Sequence, residues 1–166
     1  MTFYRYLQDL LLRFISGAPP LRNGSGGGGM RKINKIIVHC SATPADMDIG
    51  VPEIKRWHIQ KGWSDIGYHD VIRRGGSVEE GRPKEKAGAH TYGHNQDSIG
   101  ICLIGGVDSN MEPENNFTEM QFKSLQRLLR VYKAQFPKAT IHGHREYAQK
   151  ACPSFDVQEW LEQEGI

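Results

Sequence analysis

Two histidines and one cysteine have the types and positions needed to hold a zinc ion. His39 ends a β-branched run that predicts a buried strand, and a second short strand contains His142 and His144. Cys152 follows His144 by eight residues, in a loop. Zinc takes imidazole and thiolate ligands and prefers four of them, so three protein ligands leave one position for water. Because zinc lowers the pKa of bound water to about 7 and polarises carbonyl oxygens, such a site suits amide hydrolysis.

The spacing alone does not choose between His142 and His144, because both have the same strand parity. The sequence contains neither a CxxC nor an HExxH motif. Cys40 and Cys102 lie within predicted strands, where a cysteine is typically a small buried residue. Three cysteines that lie far apart in the sequence also argue against a disulfide scaffold.

Two further side chains have types that suit such a site. Lys150 precedes Cys152 by two residues, so its ammonium group can face the metal and stabilise an oxyanion. Tyr68 lies in a predicted hairpin strand, and a phenol near the attacking water can orient it or share its proton. The structural alternatives are a solvated lysine and an aromatic side chain in the core.

Alternating strand and helix patterns must position these residues. The strands are predicted at 35–39, 66–73, 99–104 and 140–144, with a turn at Gly75-Gly76 that leads the second into Val78. Helices are predicted after Pro52, after the capping box Thr118-x-x-Gln121, and after Asp156-x-x-Glu159. The pattern predicts a single α/β domain in which helices flank a central mixed sheet.

The charge of the chain is unevenly distributed. The 166 residues contain 21 Lys+Arg and 19 Asp+Glu, a net charge of +2. This excess lies in residues 1–29, which contain three arginines and one aspartate, whereas residues 30–166 are balanced. A balanced domain lacks the basic excess that is typical of nucleic-acid binders.

Residues 24–29 form a Gly/Ser run directly before Met30, an arrangement typical of a fusion joint. We therefore expect a peptide (1–23), a linker (24–29) and a domain (30–166). Tyr4, Leu7, Leu11 and Phe14 give the peptide the apolar stripe of an amphipathic helix. Such a helix could lie in a groove of its own domain or of a partner, lie on a membrane surface, or have no role. It is too short and too charged to span a bilayer.

Four segments in order resemble the type 2 N-acetylmuramoyl-L-alanine amidases, and within them the amidase-type phage lysozymes. The peptidoglycan recognition proteins are more distant relatives. The resemblance covers nearly all of residues 30–166 and none of 1–29. The segments are His39-Cys40-Ser41-Ala42-Thr43; Gly62-Trp63 with Ile66-Gly67-Tyr68-His69; Asn95-x-x-Ser98-Ile99-Gly100; and Lys150-Ala151-Cys152-Pro153.

The resemblance implies one zinc ion held by His39, His144 and Cys152, and so selects His144 over His142. It implies catalytic roles for Tyr68 and Lys150. His69 and His90 match positions that line the substrate groove or support the zinc site. Asn95 matches a position that binds substrate or braces a loop. We expect all three residues to bind substrate.

The implied activity is hydrolysis of the amide between N-acetylmuramic acid and L-alanine in the peptidoglycan stem peptide, as in phage endolysins. The alternative is a non-catalytic peptidoglycan-binding module. No signal peptide precedes Met30, so we expect synthesis in the cytoplasm and action on the cell wall at lysis.

Overall fold

Five strands form one mixed sheet in the computed structural model, which describes residues 29–166. The order across the sheet is β3-β2-β4-β1-β5; β1 is parallel to β4 and β5, β2 is parallel to β4, and β3 is antiparallel to β2. The strands are β1 (Lys35–Cys40), β2 (Asp70–Ile72), β3 (Val78–Glu80), β4 (Ser98–Leu103) and β5 (Thr140–Gly143). The predicted mixed sheet is thereby confirmed.

Three helices pack against this sheet: α1 (Val51–Gln60), α2 (Glu119–Gln135) and α3 (Val157–Glu164). The predicted capping box is present, because Thr118 Oγ1 accepts a hydrogen bond from the Gln121 backbone N–H and Gln121 Oε1 accepts one from the Thr118 N–H. Asp156 caps α3 by accepting bonds from two backbone N–H groups. Within the described range, no helix is long and apolar enough to cross a bilayer.

The two faces of the sheet bury different side chains. On one face, Ile36 and Val38 of β1 pack with the apolar stripes of α2 and α3. On the other face, Val71 and Cys102 pack with Ile54 of α1. Because side chains alternate along a strand, His39 points to the α1 face, where its register partner Cys102 also lies. The candidate chemistry therefore lies on the sheet face against which α1 packs.

The prediction of a strand over 66–73 was too long. β2 begins only at Asp70, and the backbone of Gly67 bonds to a loop and a side chain rather than to a strand. The Ala89 N–H donates to the Gly67 carbonyl at 3.0 Å, and the Gly67 N–H donates to His58 Nδ1 at 2.9 Å. Tyr68 consequently lies just before the hairpin. The predicted helix at 1–23 and all but the last residue of the linker lie outside the described residues.

Candidate metal centre

His39, His144 and Cys152 come together although they are widely separated in the sequence. One ligand atom from each residue lies within 4.8 Å of the others, and His39 Nδ1 is 4.0 Å from Cys152 Sγ. Zinc ligands lie about 2.0–2.3 Å from the ion, so tetrahedral ligand atoms are separated by roughly 3.5 Å. The three donors are close to that spacing, and their chemistry suits zinc.

Strand pairing explains how the two histidines meet. β1 and β5 are adjacent and parallel, with Val38 opposite Gly143. The residue that follows Val38 is His39 and the residue that follows Gly143 is His144, so the two histidines lie side by side. The two imidazole centroids are 4.6 Å apart. Cys152 reaches them through the following loop, where its Sγ accepts a hydrogen bond from the Cys40 backbone N–H at 3.3 Å. This bond holds the sulfur against the end of β1.

The protonation of the three residues reflects their burial. Burial lowers the pKa of His39 well below its usual range, and burial followed by the Lys150 charge lowers the pKa of His144. Both rings are therefore neutral at pH 7, which is the form that binds a metal. A hydrogen bond to the Cys40 thiol, together with burial, raises the pKa of Cys152. Metal binding at this site would therefore release a proton from the cysteine.

A network of buried side chains contacts His39 at its Nε2 atom, on the side of the ring away from Cys152. His39 Nε2 lies 2.9 Å from His90 Nδ1, and His90 Nε2 lies 3.3 Å from Ser98 Oγ. If His39 binds metal through Nδ1, its Nε2–H donates to His90, an arrangement that fixes the tautomer of a ligand. Asn95 Oδ1 in turn accepts hydrogen bonds from the backbone N–H groups of His90 and Thr91.

His69, His90 and Asn95 were expected to bind substrate, with support of the zinc site or, for Asn95, bracing of a loop as the alternative. His69 is completely buried, with Nδ1 accepting from the Gly100 N–H and Nε2 facing the Lys86 carbonyl. Burial lowers the pKa of His69 to about 4. His90 is nearly buried behind His39, and the Asn95 amide oxygen braces the loop. These contacts fit the supporting and loop-bracing roles that the resemblance also allowed for the three residues.

Tyr68 and Lys150 lie near the cluster in two different parts of the chain, Tyr68 just before β2 and Lys150 in the loop before Cys152. The Tyr68 ring centroid is 5.2 Å from that of His39, and burial raises the pKa of its hydroxyl well above the usual value. Lys150 is exposed, yet its charge is close enough to lower the pKa of both His39 and His144. The structure thus brings a phenol and an ammonium group to the rim of the candidate centre.

His142 lies apart from the cluster. Its Nδ1 is 2.6 Å from Glu146 Oε2, and its Nε2 is 2.7 Å from Thr140 Oγ1. Both ring nitrogens are therefore already engaged on the neighbouring surface.

Comparison with known proteins identifies the family. The model of the family described as N-acetylmuramoyl-L-alanine amidase matches residues 29–155. This chain belongs to that family. The endolysin of Enterobacteria phage K11 is 48% identical over 131 residues, 79% of this chain and 87% of that protein. The endolysin of Escherichia phage T7 is 47% identical over the same shares.

A solved structure agrees with the family assignment. The endolysin N-acetylmuramoyl-L-alanine amidase LysCS of Clostridium intestinale superposes with a TM-score of 0.70 at 27% identity, covering 87% of this chain and 93% of that chain. The amidase fold expected from the sequence is therefore confirmed.

A small cleft lies next to the cluster of His39, His144 and Cys152, and apart from Tyr68 its lining residues were given no functional role in the sequence analysis. It is lined by Ser41, Ile54, Trp57, His58, Lys61 and Tyr68. His58 Nδ1 accepts the Gly67 N–H, so the proton of its neutral ring lies on Nε2. Burial, followed by nearby cations, lowers the pKa of His58 to about 4. Its four-residue spacing from buried Ile54 on α1 was the one sequence indication that it faces inward.

Proposed function

We propose that the chain is a zinc-dependent N-acetylmuramoyl-L-alanine amidase of the endolysin type. Its substrate would be the amide that links the lactyl group of N-acetylmuramic acid to L-alanine in peptidoglycan. The observation that carries this proposal is the group of His39, His144 and Cys152 within 4.8 Å, next to Tyr68. The family membership and the phage endolysin relatives support the substrate class.

Each residue has a defined task in this proposal. His39, His144 and Cys152 would hold the ion, and bound zinc would polarise the lactyl carbonyl and lower the pKa of an attacking water. Tyr68, as a neutral phenol, would orient that water through its hydroxyl. Lys150 would stabilise the negative charge that develops on the carbonyl oxygen. Addition of water and cleavage of the C–N bond yield a lactyl carboxylate and the free amino group of L-alanine.

The zinc requirement is tested by releasing stem peptide from purified cell wall. We expect release with the zinc-loaded chain, loss of release in a chelator, and recovery when zinc is added back. Release that continues at the same rate in chelator, with zinc shown to be absent, would contradict the proposal. No release from the zinc-loaded chain, with retention on cell wall, would indicate the alternative, a non-catalytic binding module.

We further propose that residues 1–23 are a separate peptide, that 24–29 are a flexible linker and that 30–166 are the catalytic domain acting on the cell wall at lysis. A short flexible linker gives an effective concentration in the millimolar range, enough to maintain a weak helix-in-groove contact. Activity and thermal stability should be compared with and without residues 1–29. A difference would support a contact with the domain, and equal values would indicate a peptide that is inert toward it.

A further inference from the structure

Arg31, which precedes β1, binds a distant part of the chain. Its guanidinium donates to four backbone carbonyl oxygens between Lys84 and Ser98, at 2.6 to 3.2 Å. We refer to residues 84–98 as the bracing segment; it leads into β4 and contains a short 3-10 helix, Asn95–Asp97. The carbonyls belong to Lys84, Asn95, Gln96 and Ser98.

The bracing segment contains the residues that support His39. Two of the carbonyls bound by Arg31 belong to Asn95 and Ser98. The Asn95 side chain holds the backbone of His90, and the Ser98 hydroxyl faces His90 Nε2. His90 Nδ1 lies 2.9 Å from His39 Nε2. Arg31 is therefore linked to His39 through hydrogen bonds to Asn95 and Ser98, and from these two residues through His90.

We propose that Arg31 is a positioning residue for the metal centre, acting through the bracing segment on His90 and through His90 on His39. The inference rests on the proposed function, because it assigns the purpose of the contact to a zinc site. Arg31 touches neither substrate nor metal in this assignment.

An arginine guanidinium is better suited to bind the four carbonyls than a lysine ammonium of the same charge. Its planar group presents five N–H donors in a fixed arrangement, whereas a lysine ammonium is a compact group with three. Arg31 Nη2 also lies 3.0 Å from His69 Nε2, and its charge helps to keep that ring neutral. A lysine at this position could reach only some of the four carbonyls. Charge-preserving substitution should therefore not restore full positioning.

Other contacts limit the size of the expected effect. Asp97 in the same segment is held independently, because Lys35 Nζ lies 2.6 Å from its Oδ2 and the Asn34 N–H donates to its carbonyl at 2.8 Å. Loss of Arg31 should therefore loosen the segment without releasing it. Removing a group that orients a metal ligand typically weakens metal binding about 10- to 100-fold.

The test compares zinc release from the full chain and from R31A and R31K. Zinc loss to a chromophoric chelator gives the dissociation rate, and hydrogen exchange of the His90 and Thr91 amides in the zinc-free chain reports on the bracing segment directly. We expect zinc to leave R31A up to about 10-fold faster, with R31K intermediate. We also expect faster exchange of both amides, and a fall in kcat with little change in KM.

Two matched controls separate positioning from loss of charge or of stability. K32A removes the exposed neighbouring cation. K133A removes a cation that also donates to backbone carbonyls, those of Pro137 and Ala139, at the end of α2. Both should leave zinc release and the two amides unchanged.

The outcome for Arg31 is distinguishable from the outcome for the proposed function. If R31A and K133A lose zinc at the same rate, or if the His90 and Thr91 amides of R31A exchange like those of the unaltered chain, the positioning role is overturned. If the unaltered chain binds no zinc, the proposed function fails, and amide exchange still tests the link from Arg31 to His90. If R31A does not fold, R31K decides by the same measurements.

Discussion

Replacing Gly100 by alanine should displace the His90 imidazole and weaken zinc binding at a distance. Gly100 lies in β4 on the face that also carries His39, and the His90 ring packs directly over it. A Cβ at Gly100 would lie 2.6 Å from both Cγ and Cδ2 of His90. The backbone of Gly88 confines the same ring, since a Cβ there would lie 2.5 Å from His90 Cδ2. The ring therefore cannot relieve the contact by a small rotation.

The size of the effect follows from these distances. Carbon atoms in contact are separated by about 3.5–4.0 Å, so the ring must move by roughly 1 Å. A shift of that size along the line that joins His39 Nε2 to His90 Nδ1 would lengthen their 2.9 Å separation beyond hydrogen-bonding distance. Loss of such a supporting bond should weaken zinc binding about 10- to 100-fold, or about 1.4–2.7 kcal/mol. Overpacking should also lower the free energy of unfolding by about 1–3 kcal/mol.

Zinc affinity is measured by chelator competition, and the stability of the zinc-free chain is measured by urea unfolding. Gly75→Ala is the matched control, because a Cβ at Gly75 meets no atom within 4 Å. The double-mutant cycle with His90→Ala isolates the clash, since Gly100→Ala should cost no further zinc affinity once the ring is gone. Wild-type zinc affinity in Gly100→Ala, or an undiminished loss in the His90→Ala background, would refute the reasoning.

Three further predictions follow from the same geometry. His144→Gln should abolish zinc retention measured by metal analysis, whereas His142→Gln should retain zinc because its ring is bound to Glu146 and Thr140; equal zinc contents would contradict the ligand assignment. Tyr68→Phe should keep zinc but lower kcat on a muropeptide by about 100-fold or more, because only the orienting hydroxyl is lost; an unchanged kcat would exclude that role. Because the pKa of His69 falls from 6.5 to about 4 on folding, the unfolded chain binds more protons between these values. In chelator, the free energy of unfolding should therefore decrease as pH falls from 6.5 to 4, by at most about 3 kcal/mol from this group, and His69→Gln should remove that part of the slope.

The sequence predicted the architecture because its elements are locally encoded. The β-branched runs became β1 and β4, and the capping box at Thr118 begins α2 where expected. The start of β2 was predicted too early, because Gly67 bonds to His58 and Ala89, and no local sequence pattern reveals these contacts. Local periodicity therefore predicts where elements occur better than where pairing begins.

The candidate ligands followed from residue type and from the resemblance, and the structure brings them together. Their support could not be predicted in the same way, because it depends on contacts distant in sequence. Arg31 and Ser98 are separated by 67 positions, and His39 and His90 by 51. For His69 and His90 the motifs left two roles open, binding of substrate or support of the zinc site, because motifs specify residue types but not which side chains contact one another.

The most direct test of the central claim is to identify the new chain ends formed when the zinc-loaded chain digests purified cell wall. We predict new amino termini that are all L-alanine, formed in proportion to the zinc content of the protein, without new reducing sugar ends. The same termini should disappear when Cys152→Ser removes a ligand without removing the peptide chain around it. New reducing ends in place of alanine termini, or alanine termini formed equally by Cys152→Ser without bound metal, would contradict the account.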